Sequence, residues 1–233
     1  MHFLWRLMKL YFTKFEIFLW SVSVALILSV FLIFDRTNYL ALLSSIVGVS
    51  SVMLCAKGNP LGNALGLIFC VIYGYISFTY AYYGEMLTYM FMTGPMAIYA
   101  LISWLRNPYN ESRSEVKVGS VKKTELIFLV FLASAVTIIF YFILKTFGTA
   151  NLLISTLSVT TSFSAVYLTA RRSPLYAVAY SLNDIVLIIL WSLASIEDVS
   201  YISVVICFAV FLANDIYGFY SWRRMKIKQE KGL

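Results

Sequence analysis

Residues 98–106 read IYALISWLR, and residues 216–224 read IYGFYSWRR, 118 positions further along the chain. Five of the nine positions are identical, and each copy ends an apolar run at an arginine. Such a recurrence in an apolar chain indicates an internally duplicated membrane protein. Duplicated halves in membranes commonly enclose a pathway between them.

The repeat extends upstream of this match at a slightly shorter spacing of 114 residues. The difference of four residues corresponds to about one helical turn, and we expect it within the last two helices of each unit. The matched pairs are Ser50 with Ser164, Val52 with Val166, Leu54 with Leu168, Ala56 with Ala170, Lys57 with Arg171, and Pro60 with Pro174.

The composition places the chain in a bilayer. Of 233 residues, 61% are hydrophobic and 12% are charged, and the mean hydropathy is +0.83. A water-exposed surface needs far more charge, so we predict an all-α integral membrane protein. The net charge of +7 would suggest a nucleic-acid partner in a soluble chain, but its distribution along this chain argues against one.

Apolar runs that can cross about 30 Å of hydrocarbon occur eight times, which predicts eight transmembrane helices. The long connection from Arg106 to Thr124 is polar and mixed in charge, so we expect a solvent loop there. The predicted spans are 15–34, 39–56, 62–83, 86–105, 126–144, 149–170, 174–195 and 200–222.

The positive charges divide unequally between the two sides that these spans define. Sixteen Lys and Arg, including Arg6 and Lys9, fall on one side, and only Arg36 and Lys145 fall on the other. The side with more positive residues is cytoplasmic. We therefore expect a multi-pass protein of the plasma membrane with both termini inside the cell, and a first helix that is retained, because no small-residue cleavage site follows it.

Three helices at 39–106 and three at 149–224 form the repeats, and one helix at 126–144 links them. Because three helices plus one linker is an even number, both units point the same way across the membrane. This is the 3+1+3 arrangement of the SWEET sugar carriers, here with an extra N-terminal helix. The predicted segments are 1–38, 39–106, 107–148, 149–224 and a basic tail at 225–233.

Two polar pairs lie inside the last two apolar runs: Asn183 with Asp184, and Asn214 with Asp215. Asp184 is 12 residues from Arg172, which puts it about 18 Å along the helix and near the bilayer midplane. A carboxylate at that depth costs about 2.5 kcal/mol or more, so it should face a cavity or a partner. The alternative is that these pairs only join helices through hydrogen bonds.

Three aromatic residues, Tyr73, Tyr180 and Trp191, lie deep in the runs or close to Asp184. Trp191 follows Asp184 by seven residues, two turns along the same helix face, so both can address one cavity. A flat cationic solute would gain cation–π contact there. The predicted substrate-binding residues are Tyr73, Tyr180, Asn183, Asp184, Trp191, Asn214 and Asp215.

Several chemistries lack their sequence signatures. The chain has no GxxxxGK[ST] loop for ATP, its single histidine is His2, and its three cysteines are scattered, so neither a cofactor nor a metal site is expected. Paired membrane aspartates also occur in intramembrane proteases, but the GxGD signature of those enzymes is absent at Asp184 and Asp215. An enzyme is therefore the minor alternative.

Short motifs in both units carry a family resemblance. The first unit contains Ala56-Lys57-Gly58-Asn59, Tyr83-Gly84-Glu85-Met86, Pro95-Met96 and Trp104. The second contains Asn183-Asp184, Ala213-Asn214-Asp215-Ile216-Tyr217-Gly218 and Trp222. In this order and spacing, over about residues 39–225, the motifs resemble those of the PnuC-type vitamin transporters, whose best-known substrate is nicotinamide riboside.

The resemblance implies facilitated diffusion through a central site between the two units, with a separate cytosolic kinase trapping the product. We expect a carrier of nicotinamide riboside, in which aromatic faces hold the pyridinium ring and the Asn-Asp pairs bind polar groups. The resemblance also implies a glutamine after Pro95-Met96, where this chain has Ala97. Thiamine or riboflavin, with or without proton coupling through Asp184, are therefore alternative cargoes, and a homo-oligomer is a further expectation.

Overall fold

A computed structural model describes residues 11–79, 82–109 and 112–232. Within these residues the chain forms eight helices long and apolar enough to cross a membrane, which confirms the predicted number. Arg6 and Lys9 lie outside the described residues. The helices are α1 Lys14–Phe34, α2 Tyr39–Ala56, α3 Pro60–Thr79, α4 Tyr83–Leu105, α5 Lys123–Thr146, α6 Leu152–Ala170, α7 Leu175–Ala194 and α8 Val199–Glu230.

Local capping explains where the first two helices begin. The Thr13 side chain accepts a hydrogen bond of 3.2 Å from the Glu16 amide, and the Glu16 carboxylate accepts one of 2.6 Å from the Thr13 amide. This capping box satisfies two amides that a helix start leaves unpaired. At the start of α2, the Asn38 side chain accepts a hydrogen bond of 3.0 Å from the Ala41 amide.

Two helices end four or more residues away from their predicted ends. Helix α3 ends at Thr79 rather than residue 83, and the Tyr82 amide donates to the Ser77 carbonyl at 2.8 Å to close the turn. Helix α8 continues to Glu230, eight residues beyond the predicted end at 222. Hydropathy marks where a helix leaves the apolar layer, but Arg, Met, Lys, Gln and Glu are good helix formers and continue the helix into water.

The connection after α4 is more ordered than the predicted solvent loop. It forms a two-stranded antiparallel hairpin, β1 Pro108–Tyr109 and β2 Ser112–Val116, with Val116 fully buried. The Val116 amide donates to the Gly58 carbonyl at 2.9 Å, and the Gly119 amide donates to the Arg172 carbonyl at 2.8 Å. The hairpin thus joins the α2–α3 turn to the α6–α7 turn.

These two turns have the same backbone geometry. Gly58 and Arg172, 114 residues apart, both adopt left-handed conformations, with φ of +68° and +56°. The residue after each donates its amide to the carbonyl of Leu54 or Leu168 at 3.0 Å, and these two leucines are also 114 residues apart. The upstream part of the sequence repeat is therefore a structural repeat at these turns.

Two buried tryptophans exchange partners between the units. Trp104 Nε1 donates to the Thr169 carbonyl, and Trp222 Nε1 donates to the Cys55 carbonyl, each at 2.7 Å. The donors are 118 residues apart and the acceptors 114, the two spacings of the sequence repeat. The indole rings meet with centroids 5.2 Å apart. A twofold relation between parallel units requires such a reciprocal exchange, which therefore supports the predicted 3+1+3 arrangement. The predicted segment boundaries stay predictions.

Helix α1, outside the repeats, packs on both units. The Glu16 carboxylate forms an ion pair with Lys57 at 3.3 Å and accepts a hydrogen bond of 2.7 Å from the Tyr217 hydroxyl. Trp20 Nε1 donates to Ser50 Oγ at 3.1 Å.

On the same side of the bundle, the Glu125 carboxylate pairs with Arg171, and this contact raises the pKa of the guanidinium. Lys57, Arg171 and the hairpin therefore share one face, as alternating crossings require.

Candidate functional site

A cavity of about 90 Å³ lies at the centre of the bundle, between the two units. Three helices of each unit supply its walls: α2, α3 and α4 from the first, and α6, α7 and α8 from the second. Among the described residues, neither α1 nor α5 contributes. The side chains that carry the arguments below are Cys55, Asn63, Phe69, Cys70, Tyr89, Thr93, Ala97, Thr169, Tyr176, Tyr180, Asn183, Asp184, Phe208, Phe211 and Asp215.

Repeat-related positions face each other across this cavity but differ in chemistry. Phe69 and Cys70 of the first unit occupy the places that Asn183 and Asp184 occupy in the second, 114 residues later, and all four line the cavity. Ala97 is likewise related to Asp215 by the spacing of 118. At these repeat-related positions the first unit is therefore apolar and the second polar or acidic, which suits an asymmetric ligand with an apolar face and a polar edge.

The acidic wall brings two carboxyl groups together. Asp184 of α7 and Asp215 of α8 are both buried, with 3% exposure each, and their carboxyl groups interact directly. No lysine or arginine lines the cavity within the part of the chain that the structure describes. Adjacent buried carboxylates repel each other and lose their hydration, so a bound cation would stabilise the pair strongly.

Four buried polar atoms around the cavity have no hydrogen-bond partner among the described residues. A buried polar atom without a partner costs about 1–3 kcal/mol, so four at one cavity indicate a site that a polar ligand completes. The set contains an amide donor, two hydroxyls and a carboxylate acceptor. They are Asn63 Nδ2, Thr93 Oγ1, Tyr176 Oη and Asp184 Oδ2.

Asn183 is held in place from α6. Its Oδ1 accepts hydrogen bonds of 2.9 Å from Thr161 Oγ1 and 2.8 Å from Ser162 Oγ. With the oxygen engaged, the amide is oriented toward the Tyr89 hydroxyl, which it contacts. The residue both joins α7 to α6 and presents its amide nitrogen at the cavity.

Aromatic rings from both units form one wall of the cavity, the aromatic wall. The Phe69 ring contacts Phe211 with centroids 5.4 Å apart and Tyr89 at 6.1 Å, while Phe208 meets Phe211 at 5.7 Å. Tyr180 adds a further ring from α7. A planar cationic ring placed between this wall and the acidic pair would gain both aromatic and electrostatic contacts.

The structure brings four of the seven predicted site residues to the cavity: Tyr180, Asn183, Asp184 and Asp215. Trp191 and Tyr73 lie elsewhere, in an aromatic cluster further along α7, where Trp191 Nε1 donates to the Tyr73 hydroxyl at 2.7 Å. Asn214 faces α1, and its Nδ2 donates to Ser23 Oγ at 3.0 Å. The contact of Asn214 therefore matches the alternative, in which the Asn-Asp pairs join helices through hydrogen bonds.

Sequence reasoning did not identify the remaining polar and aromatic walls. Asn63 lies in a run of small residues, and a Cβ at the adjacent Gly62 would approach the Cys55 amide nitrogen to 2.6 Å, so the pattern marks close helix packing rather than a polar site. Tyr176 is one tyrosine among 17. The π-helical turn Thr88–Thr93, which carries Tyr89 and Thr93, has no sequence signature, although such turns are frequent at functional sites.

Apolar membrane-spanning helices around a central cavity with unpaired polar groups define a multi-pass membrane protein with a small-molecule site between its two units. The family model described as nicotinamide mononucleotide transporter matches residues 38–224. The chain belongs to this family, in agreement with the predicted PnuC-type resemblance.

Individual relatives agree with this assignment. The nicotinamide riboside transporter PnuC of Neisseria mucosa is 23% identical over 224 residues, covering 94% of this chain and 84% of the relative. The protein of the same name from Haemophilus influenzae is 23% identical over 189 residues, covering 81% and 80%. A crystal structure of the vitamin B3 transporter PnuC superposes with a TM-score of 0.82 at 22% identity, covering 93% and 94%, and shows the same fold.

Proposed function

We propose that this protein carries nicotinamide riboside, a precursor of NAD, across the plasma membrane by facilitated diffusion through the central cavity. The observation that carries the proposal is the acidic pair Asp184 and Asp215 facing an aromatic wall, with unpaired donors and hydroxyls around them. Nicotinamide riboside has a fixed positive charge on a planar ring, a carboxamide and ribose hydroxyls. Each of these groups has a chemical counterpart in the cavity.

The groups divide by chemistry between the walls. The pyridinium ring packs against Phe69 and Phe211, with its charge toward Asp184 and Asp215. The carboxamide and the ribose hydroxyls form hydrogen bonds with the unpaired polar groups of Asn63, Thr93 and Tyr176. Asn183 and Tyr180 lie beside these groups. Tyr73, Trp191 and Asn214 support the site from behind by fixing the helices that bear it.

Uptake into proteoliposomes tests this proposal. Purified protein should equilibrate labelled nicotinamide riboside across the bilayer without ATP, and an imposed proton gradient should leave both the rate and the final level unchanged. Accumulation above the external concentration that depends on the gradient would instead support a proton-coupled carrier. Equilibration of thiamine or riboflavin, with none of nicotinamide riboside, would support the alternative cargoes.

The orientation in the membrane is part of the proposal. The basic face, with Lys57, Arg171 and the hairpin, lies in the cytoplasm because positive residues are retained there. Trapping of the carried nucleoside by a cytosolic kinase, and association into homo-oligomers, are further parts of the proposal that the family resemblance supports.

Reporter fusions test the orientation. Fusions at Lys117 and at Glu197 should report opposite sides, with Lys117 in the cytoplasm, because three spans, α5, α6 and α7, separate the basic loop from the α7–α8 connection. A fusion at the C-terminal end of α8 should match Lys117. Cytoplasmic signals at both Lys117 and Glu197 would contradict the topology.

A further inference from the structure

A third buried carboxyl group, Glu85, lies in the first turn of α4, outside the cavity. Its side chain is 0% exposed, and Oε1 accepts a hydrogen bond of 2.8 Å from Ser158 Oγ on α6. Its Oε2 has no hydrogen-bond partner among the described residues. A carboxyl group at this depth is costly, and nothing in the function described so far uses it.

The surroundings of Glu85 offer hydroxyl groups but no positive charge. Tyr73 from α3 and Tyr89 from its own helix lie close enough for electrostatic interaction with it, and Ser158 faces it from α6. Within residues 11–79, 82–109 and 112–232, no lysine or arginine acts on this carboxyl group. An entering cation would therefore be its first ionic partner.

Glu85 lies one turn beyond the residues of α4 that line the central cavity, toward the end of the bundle opposite the hairpin. Along α4, Glu85, Tyr89, Thr93 and Ala97 follow at intervals of four residues, and the last three line the cavity. The π-helical turn Thr88–Thr93 lies in this stretch. Tyr89 therefore stands between Glu85 and the acidic pair.

Helix α6 contributes a matching row. Ser158 is followed one turn later by Ser162, which holds Asn183, and further along by Thr169, which lines the cavity. The two rows meet at the seam between α4 of the first unit and α6 of the second. A continuous series of polar groups thus leads from Glu85 and Ser158 to Asn183.

The second seam between the units, formed by α2 and α8, has no matching acid. The positions related to Ser158 and Glu85 by the spacings of 114 and 118 are Ser44 and Ser203. Both line a separate pocket that α1 covers with Ile27 and Phe31. At the position related to Glu85 the second seam thus carries a hydroxyl, and the acid that lines its pocket, Asp35, follows α1 outside the repeats.

The α5–α6 connection packs against Gly84, the residue before Glu85. A Cβ added to Gly84 would lie 2.6 Å from Thr149 Cγ2 and 3.4 Å from Leu144 Cδ2, so this connection packs directly on the start of α4.

We propose that Glu85, positioned by Ser158, is an entry site that binds the cationic ring of the substrate before it passes Tyr89 to reach Asp184 and Asp215. This inference rests on the proposed function. It predicts that the charge of Glu85 sets the rate at which cations enter, whereas the central pair sets the affinity.

The test compares two substrates of the same shape in proteoliposomes. Nicotinamide riboside is a cation, and its 1,4-dihydro form is neutral. Glu85→Gln removes the charge and keeps an oxygen that accepts from Ser158. We expect the initial uptake rate of the cation to fall about tenfold, the size of one charge-assisted contact, with uptake of the neutral form unchanged. Glu197→Gln, an exposed acid on the same side, is the matched control and should alter neither rate.

The outcomes separate the two proposals. Wild-type protein that carries no nicotinamide riboside would overturn both. Wild-type transport together with an equal loss for cation and neutral form in Glu85→Gln would overturn the entry site alone, because a structural role affects both substrates.

A second measurement uses the unaltered protein, in case Glu85→Gln does not fold. Carbodiimide modification of the Glu85 peptide, followed by mass spectrometry, should be slowed by nicotinamide riboside and not by its neutral form. Equal modification with and without the cation would overturn the entry site.

Discussion

Replacing Asp184 by asparagine is expected to weaken binding of nicotinamide riboside by about 10- to 150-fold, because a charge-assisted contact of about 1.5–3 kcal/mol is lost. The variant should still insert and fold, since an amide costs less than a carboxylate at the bilayer midplane. It also removes the repulsion between Asp184 and Asp215, so its thermal stability should equal or exceed that of the wild type.

Titration of substrate into purified protein, with thermal unfolding of the same sample, measures both quantities. Glu197→Gln is the control, because it removes one negative charge from an exposed position. The opposite pattern, with lower stability and wild-type affinity in Asp184→Asn, would show that Asp184 only joins helices.

The second large effect is expected at the paired tryptophans. Trp104→Phe and Trp222→Phe should each lower the free energy of unfolding by about 1–3 kcal/mol, through the lost indole hydrogen bond and the lost ring volume. The Thr169 and Cys55 carbonyls keep their bonds of 2.9 Å from the Arg172 and Gly58 amides. Thermal unfolding in detergent should shift by similar amounts in the two variants, because each indole occupies the same place in its unit. The double variant should be non-additive, since the rings are in contact.

Trp20→Phe is a matched control for this pair. Its indole also donates a hydrogen bond, to the Ser50 hydroxyl, but its ring is only half-buried, whereas the Trp104 and Trp222 rings are fully buried. The shift should be clearly smaller than at Trp104 or Trp222. A large effect at one paired tryptophan and none at the other would argue against the twofold relation between the units.

The helices could be predicted because apolar length is a local property of the sequence. The cavity could be predicted in part, because a carboxylate such as Asp184 inside a bilayer must face a cavity or a polar partner. Its neighbours were harder to place. Asp215 faces the cavity, and Asn214 faces α1 because consecutive residues on a helix point about 100° apart.

Trp191 shows a different reason for failure. It does share a helix face with Asp184, but seven residues separate them by about 10.5 Å along the axis. The cavity does not extend that far, since the Phe69, Tyr73 and Phe208 rings pack between. Periodicity gives the direction of a side chain and not the extent of a cavity, which depends on packing between distant segments.

The hairpin and the aromatic wall depend on contacts of the same long-range kind. The Gly58 carbonyl accepts a hydrogen bond from the Val116 amide and holds the hairpin in the position where Val116 is buried. No local pattern predicts that partner. Phe69 is the residue that the repeat spacing of 114 relates to Asn183. Its position opposite the acidic wall follows from the duplication, so the repeat contained information about the site that the individual motifs did not.

Calorimetric titration of the purified wild-type protein with nicotinamide riboside and with its neutral 1,4-dihydro form tests cation selection by the central cavity most directly. The two ligands share their size, carboxamide and ribose and differ in ring charge. Because Asp184 and Asp215 face the ring, the cation should bind at least about tenfold more tightly than the neutral form, which corresponds to about 1.4 kcal/mol. Equal affinities for the two forms would contradict a cation-selective site.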